Sequence, residues 1–230
     1  MTENTSIADS LAQTRASIGR FEAAYEREPG SVSLLAVSKR KPVSAIKAAS
    51  EAGQVAFGEN YVEEGLEKIA GLGKTDFEWH FIGAIQSRKT AMIAENFDWA
   101  HGIDRLKIAR RLSDQRPASL PPLNVCIQVN LDNEEGKAGI PLQDVAELVQ
   151  ACDGLEGIRL RGLMAIPMPR HDLLEQRRSF ARLRQSLQEL SPQMPDLRTL
   201  SMGMSGDLEA AIAEGATIVR VGTAIFGSRD

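Results

Sequence analysis

Cysteine, tyrosine and tryptophan each occur only twice in this chain of 230 residues, and histidine three times. Cys126 and Cys152 make neither the C-x-x-C pair of a redox centre nor a zinc-binding quartet. One sits in an apolar strand-like run and the other at a helix-like end, so both are expected to be buried, packing as small hydrophobes. No apolar run approaches the roughly 20 residues of a membrane span. The opening, MTENTSIADS, is acidic and polar where a secretory signal is basic and then apolar, so a cytoplasmic protein is expected. A large excess of one charge is missing too. The net charge of -4 gives no electrostatic reason to expect nucleic acid, and the Arg177-Arg178 cluster reads as a solvated helix face.

Eight short runs rich in Val, Ile, Leu and Phe fall near 33–39, 55–60, 77–83, 98–104, 124–130, 158–166, 199–205 and 218–227. Several are almost continuously apolar, as in VCIQVN and IVRVGTAIF, which suits parallel strands covered on both faces. Segments of helical period lie between them. Leu142, Val145, Leu148 and Val149 form one apolar face, with Pro141 suited to the first turn; Leu173, Phe180, Leu183, Leu187 and Leu190 form another, in a helix expected to stop before Pro192. Seven helices follow the first seven strands. Residues 5–27, with Ile7, Leu11, Ile18, Phe21 and Tyr25 at helical intervals, can cover the sheet where an eighth is missing. The expectation is one domain over 1–230, a closed (β/α)8 TIM barrel with a leading helix; an open doubly wound sheet is the alternative.

In such a barrel the chemistry sits where strands run out into βα-loops. Lys39 ends the first run, where an amine facing an enclosed pocket is desolvated toward the reactivity of a Schiff-base lysine. Position alone leaves a solvated loop lysine open, with Lys41 as a local competitor that Pro42 is expected to turn away. Asn60 and Met164 follow the second and sixth runs. SMGMSGDLEAAIAEG places glycine and Ser205 at a strand-to-helix junction suited to an anion, or to simple helix capping. Gly222 and Thr223 end the eighth run, and barrels commonly hold phosphate in the loops after strands seven and eight. Arg220 is a guanidinium inside an apolar strand, so it needs an acceptor: a barrel carboxylate, or a ligand nitrogen.

These residues stand in motifs that together resemble the pyridoxal phosphate homeostasis proteins, whose fold is that of the alanine racemase N-terminal barrel. The likeness runs through AVSKRKP at 36–42, FGENYVEE at 57–64, WHFIGAIQSRK at 79–89, GLMAIP at 162–167, LSMGMSGD at 200–207 and VRVGTAIFG at 219–227. The resemblance implies pyridoxal 5'-phosphate as cofactor, borne by Lys39, with Ser205, Gly222 and Thr223 at its phosphate and Arg220 against its pyridine nitrogen. It also implies Asn60 near the ring and Met164 in the pocket wall, while His80 and His101 are expected to be ordinary structural histidines.

Two functions follow from it. One is a carrier that receives, shields and supplies the cofactor, meeting its enzymes transiently and remaining a monomer. The other is an amino acid racemase, which requires a second acid/base group on the opposite face of the substrate. In alanine racemases that group is a tyrosine from a second domain, which this chain, ending at Asp230 just after the eighth run, is expected to lack. Tyr25 reads as helix packing and Tyr61 as the start of a helix, so the carrier is the favoured expectation.

Overall fold

A computed structural model of the protein describes residues 6–73, 77–192 and 194–227. α1 (Ile7–Ala24) precedes eight strand-and-helix pairs: β1 (Ser33–Val37) with α2 (Val43–Glu51), β2 (Ala56–Glu59) with α3 (Val62–Leu72), β3 (Glu78–Phe81) with α4 (Thr90–Asn96), and β4 (Trp99–Ile103) with α5 (Leu106–Gln115). The second half continues with β5 (Leu123–Val129) and α6 (Val145–Ala151), β6 (Ile158–Ala165) and α7 (Leu173–Leu190), β7 (Thr199–Ser201) and α8 (Leu208–Ala213), then β8 (Ile218–Val221) and α9 (Thr223–Phe226). Each strand pairs in parallel with the next, and β8 closes on β1 with Leu35 opposite Arg220. The sheet is a closed barrel, so the open-sheet alternative falls. None of the helices among the described residues is long and apolar enough to cross a membrane.

Two of the expected runs are too long. The seventh ends at Ser201 and the eighth at Val221. Gly203, at φ 95°, takes the left-handed backbone that a strand cannot use, and Ala224, Ile225 and Phe226 wind into a helical turn that buries Ile225. The leading helix is where the pattern puts it, although residue 5 lies outside the described residues. Ser6 caps α1 by accepting the Asp9 N–H at 3.1 Å, and the buried face with Leu11 and Ile18 packs on α2, α8 and α9. α1 therefore completes the helical ring beside the short α9.

Successive strand residues face opposite sides of the sheet, and the burial divides accordingly. Ala36, Phe57, Phe81, Leu163, Leu200 and Val219 join the layer between sheet and helices. Leu35, Val37, Ile82 and Ile218 form a separate apolar cluster inside the barrel. Both layers are largely withdrawn from water, and each fully buried Leu, Ile or Phe contributes about 1.5–3 kcal/mol. Polar side chains share the interior: His80, His101, Ser201 and Arg220 are all buried. Lys39 and Asn60 continue the inward parity of β1 and β2 at the C-terminal mouth.

Candidate functional site

A cavity of about 260 Å³ opens at that mouth. Lys39, Asn60, Ser205, Arg220, Gly222 and Thr223 all line it, so six of the seven residues singled out from the sequence converge. The seventh does not. Met164 is completely buried, and the wall expected from it is supplied by Ile166, two residues on with the same parity and one step nearer the mouth. Ile82, Met204 and Gly206 are further lining residues that the sequence reading missed; the inward parity of β3 was the available signal for Ile82. A wider hollow of about 600 Å³ lies at the other end of the barrel, around Ser113, Arg116 and Gly157. Its arginine is spent on the carbonyls of Ala94, Phe97 and Pro121.

Lys39 is half-buried in a tight turn at the end of β1. The Lys41 N–H donates to the Ser38 carbonyl at 3.0 Å, and Arg40 takes φ 59°. The residues flanking Lys39 are held by one ionic cluster. Ser38 Oγ donates to Glu59 Oε1 at 2.6 Å, Lys68 Nζ donates to the Ser38 carbonyl and to Glu59 Oε1 at 2.7 Å each, and the Arg40 N–H donates to Glu64, which also pairs with Lys68 at 2.6 Å. Burial pushes the Glu59 carboxyl up, against the pull of the Lys68 and Ser38 hydrogen bonds. Lys41 is half-buried and does not line the cavity.

Arg220 does not pair with a barrel carboxylate. Nη1 donates to Ser201 Oγ at 2.8 Å and Nη2 to the Ala165 carbonyl at 2.9 Å. Burial draws its guanidinium down to about 10, with Asp207 acting in the opposite sense, so it stays charged at neutral pH. The β7 exit is shaped by Gly203 and by Asp207, whose Oδ1 accepts the Met204 N–H at 2.5 Å; Ser205 and Gly206 between them are exposed. At the β8 exit Gly222 turns the chain into α9, whose leading amides, as in any helical turn, have no intrahelical partner. Tyr61, and not Asn60, takes the cap position of α3, and Asn60 Oδ1 is buried without a partner among the described residues.

His80 and His101 are buried and hydrogen-bonded. They are also connected to the site, because His101 Nδ1 lies 2.8 Å from the same Ser201 Oγ that Arg220 holds. The tyrosines stand elsewhere. Tyr25 donates to Glu209 at 2.9 Å beneath Arg177, and Tyr61 is exposed under Arg40.

The profile of the alanine racemase N-terminal domain matches residues 10–230. The chain belongs to that family. Among curated relatives it is 54% identical to the pyridoxal phosphate homeostasis protein of Pseudomonas aeruginosa, over 98% of this chain and 97% of the relative, and 53% identical to that of Escherichia coli, over 97% of each. Among solved structures, PipY of Synechococcus elongatus with pyridoxal phosphate bound is 39% identical with a TM-score of 0.84, covering 96% of this chain and all of that one. Alanine racemase from Corynebacterium glutamicum, at 15% identity and a TM-score of 0.71 over 95% of this chain and 60% of its own, shares the fold.

Proposed function

We propose that this family member holds pyridoxal 5'-phosphate as a Schiff base on Lys39 and serves cofactor homeostasis, shielding a reactive aldehyde and supplying it to pyridoxal phosphate enzymes through transient contacts. One observation carries the reading: an inward lysine, an interior arginine and two hydroxyl-bearing loops from β7 and β8 converge on a single cavity. The names of the curated relatives and the cofactor bound in PipY support it.

The residues fit the group. Asn60 presents a buried Oδ1 acceptor with no partner among the described residues, or its NH2 donor at that place after an amide flip. Ser205, Thr223 and the amides around Gly206 and Gly222 suit a phosphate. When bound, the cofactor supplies an aldehyde that condenses with an amine and a ring that withdraws electrons. Arg220, on the cavity wall, would offer the ring nitrogen an N–H that occupies the lone pair a proton would need. That weakens the electron sink and supports holding over turnover. Neither tyrosine lines the cavity, which favours the carrier over a racemase. An aldolase or decarboxylase is disfavoured by the weaker electron sink that Arg220 would leave.

The test is borohydride reduction of the cofactor-loaded protein followed by peptide mapping, with the adduct expected on Lys39. An adduct on Lys41 with Lys39 unmodified overturns the assignment. Single-enantiomer amino acids incubated with the loaded protein are expected to keep their chirality; sustained inversion would establish the racemase instead.

A further inference from the structure

Below the cavity, buried polar side chains run in single file through the barrel. Arg220 Nη1 donates to Ser201 Oγ at 2.8 Å, and Ser201 Oγ lies 2.8 Å from His101 Nδ1. His101 Nε2 lies 2.9 Å from His80 Nδ1, and His80 Nε2 lies 2.7 Å from Glu78 Oε1. The file begins at the cavity and ends at the opposite mouth, where Glu78 opens β3 with its side chain 50% exposed, on a separate hollow of about 490 Å³. His80, His101, Ser201 and Arg220 are each 4% exposed or less, so the chain touches water only at its ends.

The two ends set the direction of every bond. A guanidinium only donates and an ionised carboxylate only accepts. His80 Nε2 must therefore carry a proton toward Glu78. If His80 is neutral, its Nδ1 accepts, His101 Nε2 is the donor, and His101 Nδ1 is left to accept from the Ser201 hydroxyl. One arrangement, with both imidazoles neutral and protonated on Nε2, satisfies every bond. Adding a proton to His80 makes its Nδ1 a donor as well. His101 then keeps a single proton but must carry it on Nδ1, and Ser201 Oγ accepts from both His101 and Arg220 while its own O–H turns off the line.

We propose that Glu78, His80, His101 and Ser201 are positioning residues for Arg220, acting as a tautomer relay that conveys protonation at the far mouth of the barrel to the cavity. The surroundings support it. His101 is held well below the usual imidazole range by burial, His80 and Arg220, so it changes tautomer and not charge. Glu78 is held below the carboxylate range by the His80 hydrogen bond, which outweighs the upward push of burial. Asp207 and Cys126 also act on Arg220. Arg15 shares the lower hollow but is bound to the Ala52 and Gly53 carbonyls. The proposed function enters only in naming what Arg220 faces.

The test needs no cofactor, so it stands even if pyridoxal phosphate fails to bind. In the unliganded full chain with nitrogen-15 histidine and arginine, NMR at high pH is expected to show both rings neutral with the proton on Nε2. On acidification, His101 should stay neutral and switch to Nδ1–H, and the Arg220 guanidinium resonances should shift with the same midpoint. Ser201→Ala should leave the His101 switch in place and abolish the Arg220 shift; if that variant does not fold, the wild-type pH series decides. A His101 ring that carries Nδ1–H at all pH values, or Arg220 resonances that stay fixed over the whole folded pH range, overturns the relay.

Discussion

Lys68 Nζ lies 2.7 Å from the carbonyl oxygen of Ser38, the residue before Lys39. Through Glu64 the same ammonium also reaches the amide of Arg40, the residue after it. The β1 exit therefore owes part of its shape to a cation on α3. Lys68→Met leaves Glu59 fully buried with only Ser38 as a partner, and removal of one member of a buried pair costs about 3–5 kcal/mol. A lower denaturant midpoint is expected, together with slower reductive labelling of Lys39 at a pH where the variant is folded. Lys68→Arg, which keeps the charge, should recover part of both. A variant as stable as the parent would refute the role.

Cys126 and Cys152 should be inert. Burial pushes their thiols up to about 12 and about 11, so almost no thiolate is present at pH 8. A disulfide reagent is expected to modify neither in the native protein and both in denaturant. Rapid native labelling of either would show that its strand or helix opens locally.

These two cases mark where the sequence is legible. Cysteine in an apolar run is buried for the same reason as its neighbours, so Cys126 could be placed without coordinates. Lys39, Asn60, Arg220 and Gly222 could be found because strand parity and strand ends are local properties. Lys68 could not: on a helix of charged period it reads as solvated, and only the fold puts Glu59 beside it. His80, His101 and Ser201 were also hidden as a set, since 21 and 100 residues separate the bonded pairs and barrel register alone aligns them. Met164 shares the face of Ile166 but lies one layer below the cavity wall expected of it, because parity gives the side of a strand and not the height along the barrel.

Gly203→Ala tests the shape of the β7 exit. A Cβ there would sit 2.5 Å from the Ala211 Cβ, on a backbone at φ 95°. Strain and overpacking each cost about 1–3 kcal/mol. The Gly203 carbonyl accepts the Arg220 N–H at 2.9 Å, so the loop carrying Ser205 should shift with it. A loss of stability is expected together with weaker phosphate binding, read by calorimetry with inorganic phosphate. Retention of both would show that the loop tolerates a side chain.

Stability in acid should depend on Asp132, which joins the loops after β5 and β6 by accepting from Arg170 Nη2 at 2.6 Å and the Met168 N–H at 2.7 Å. Burial pushes its carboxyl up, but these two bonds, with the charges of Arg170 and Arg182, outweigh it and hold the group below the usual carboxylate range. The unfolded chain therefore binds the proton more readily than the folded one. The pair's contribution is fully present above the unfolded value near ~4, and it fades as pH falls through the lower folded value. Replacing a charge-assisted acceptor in this setting costs about 1–3 kcal/mol. Asp132→Asn should lose that much at pH 7 by urea denaturation, and the gap to the parent should close toward pH 3. A gap that stays constant across the range would assign the loss to packing of the loop, and not to the carboxylate charge.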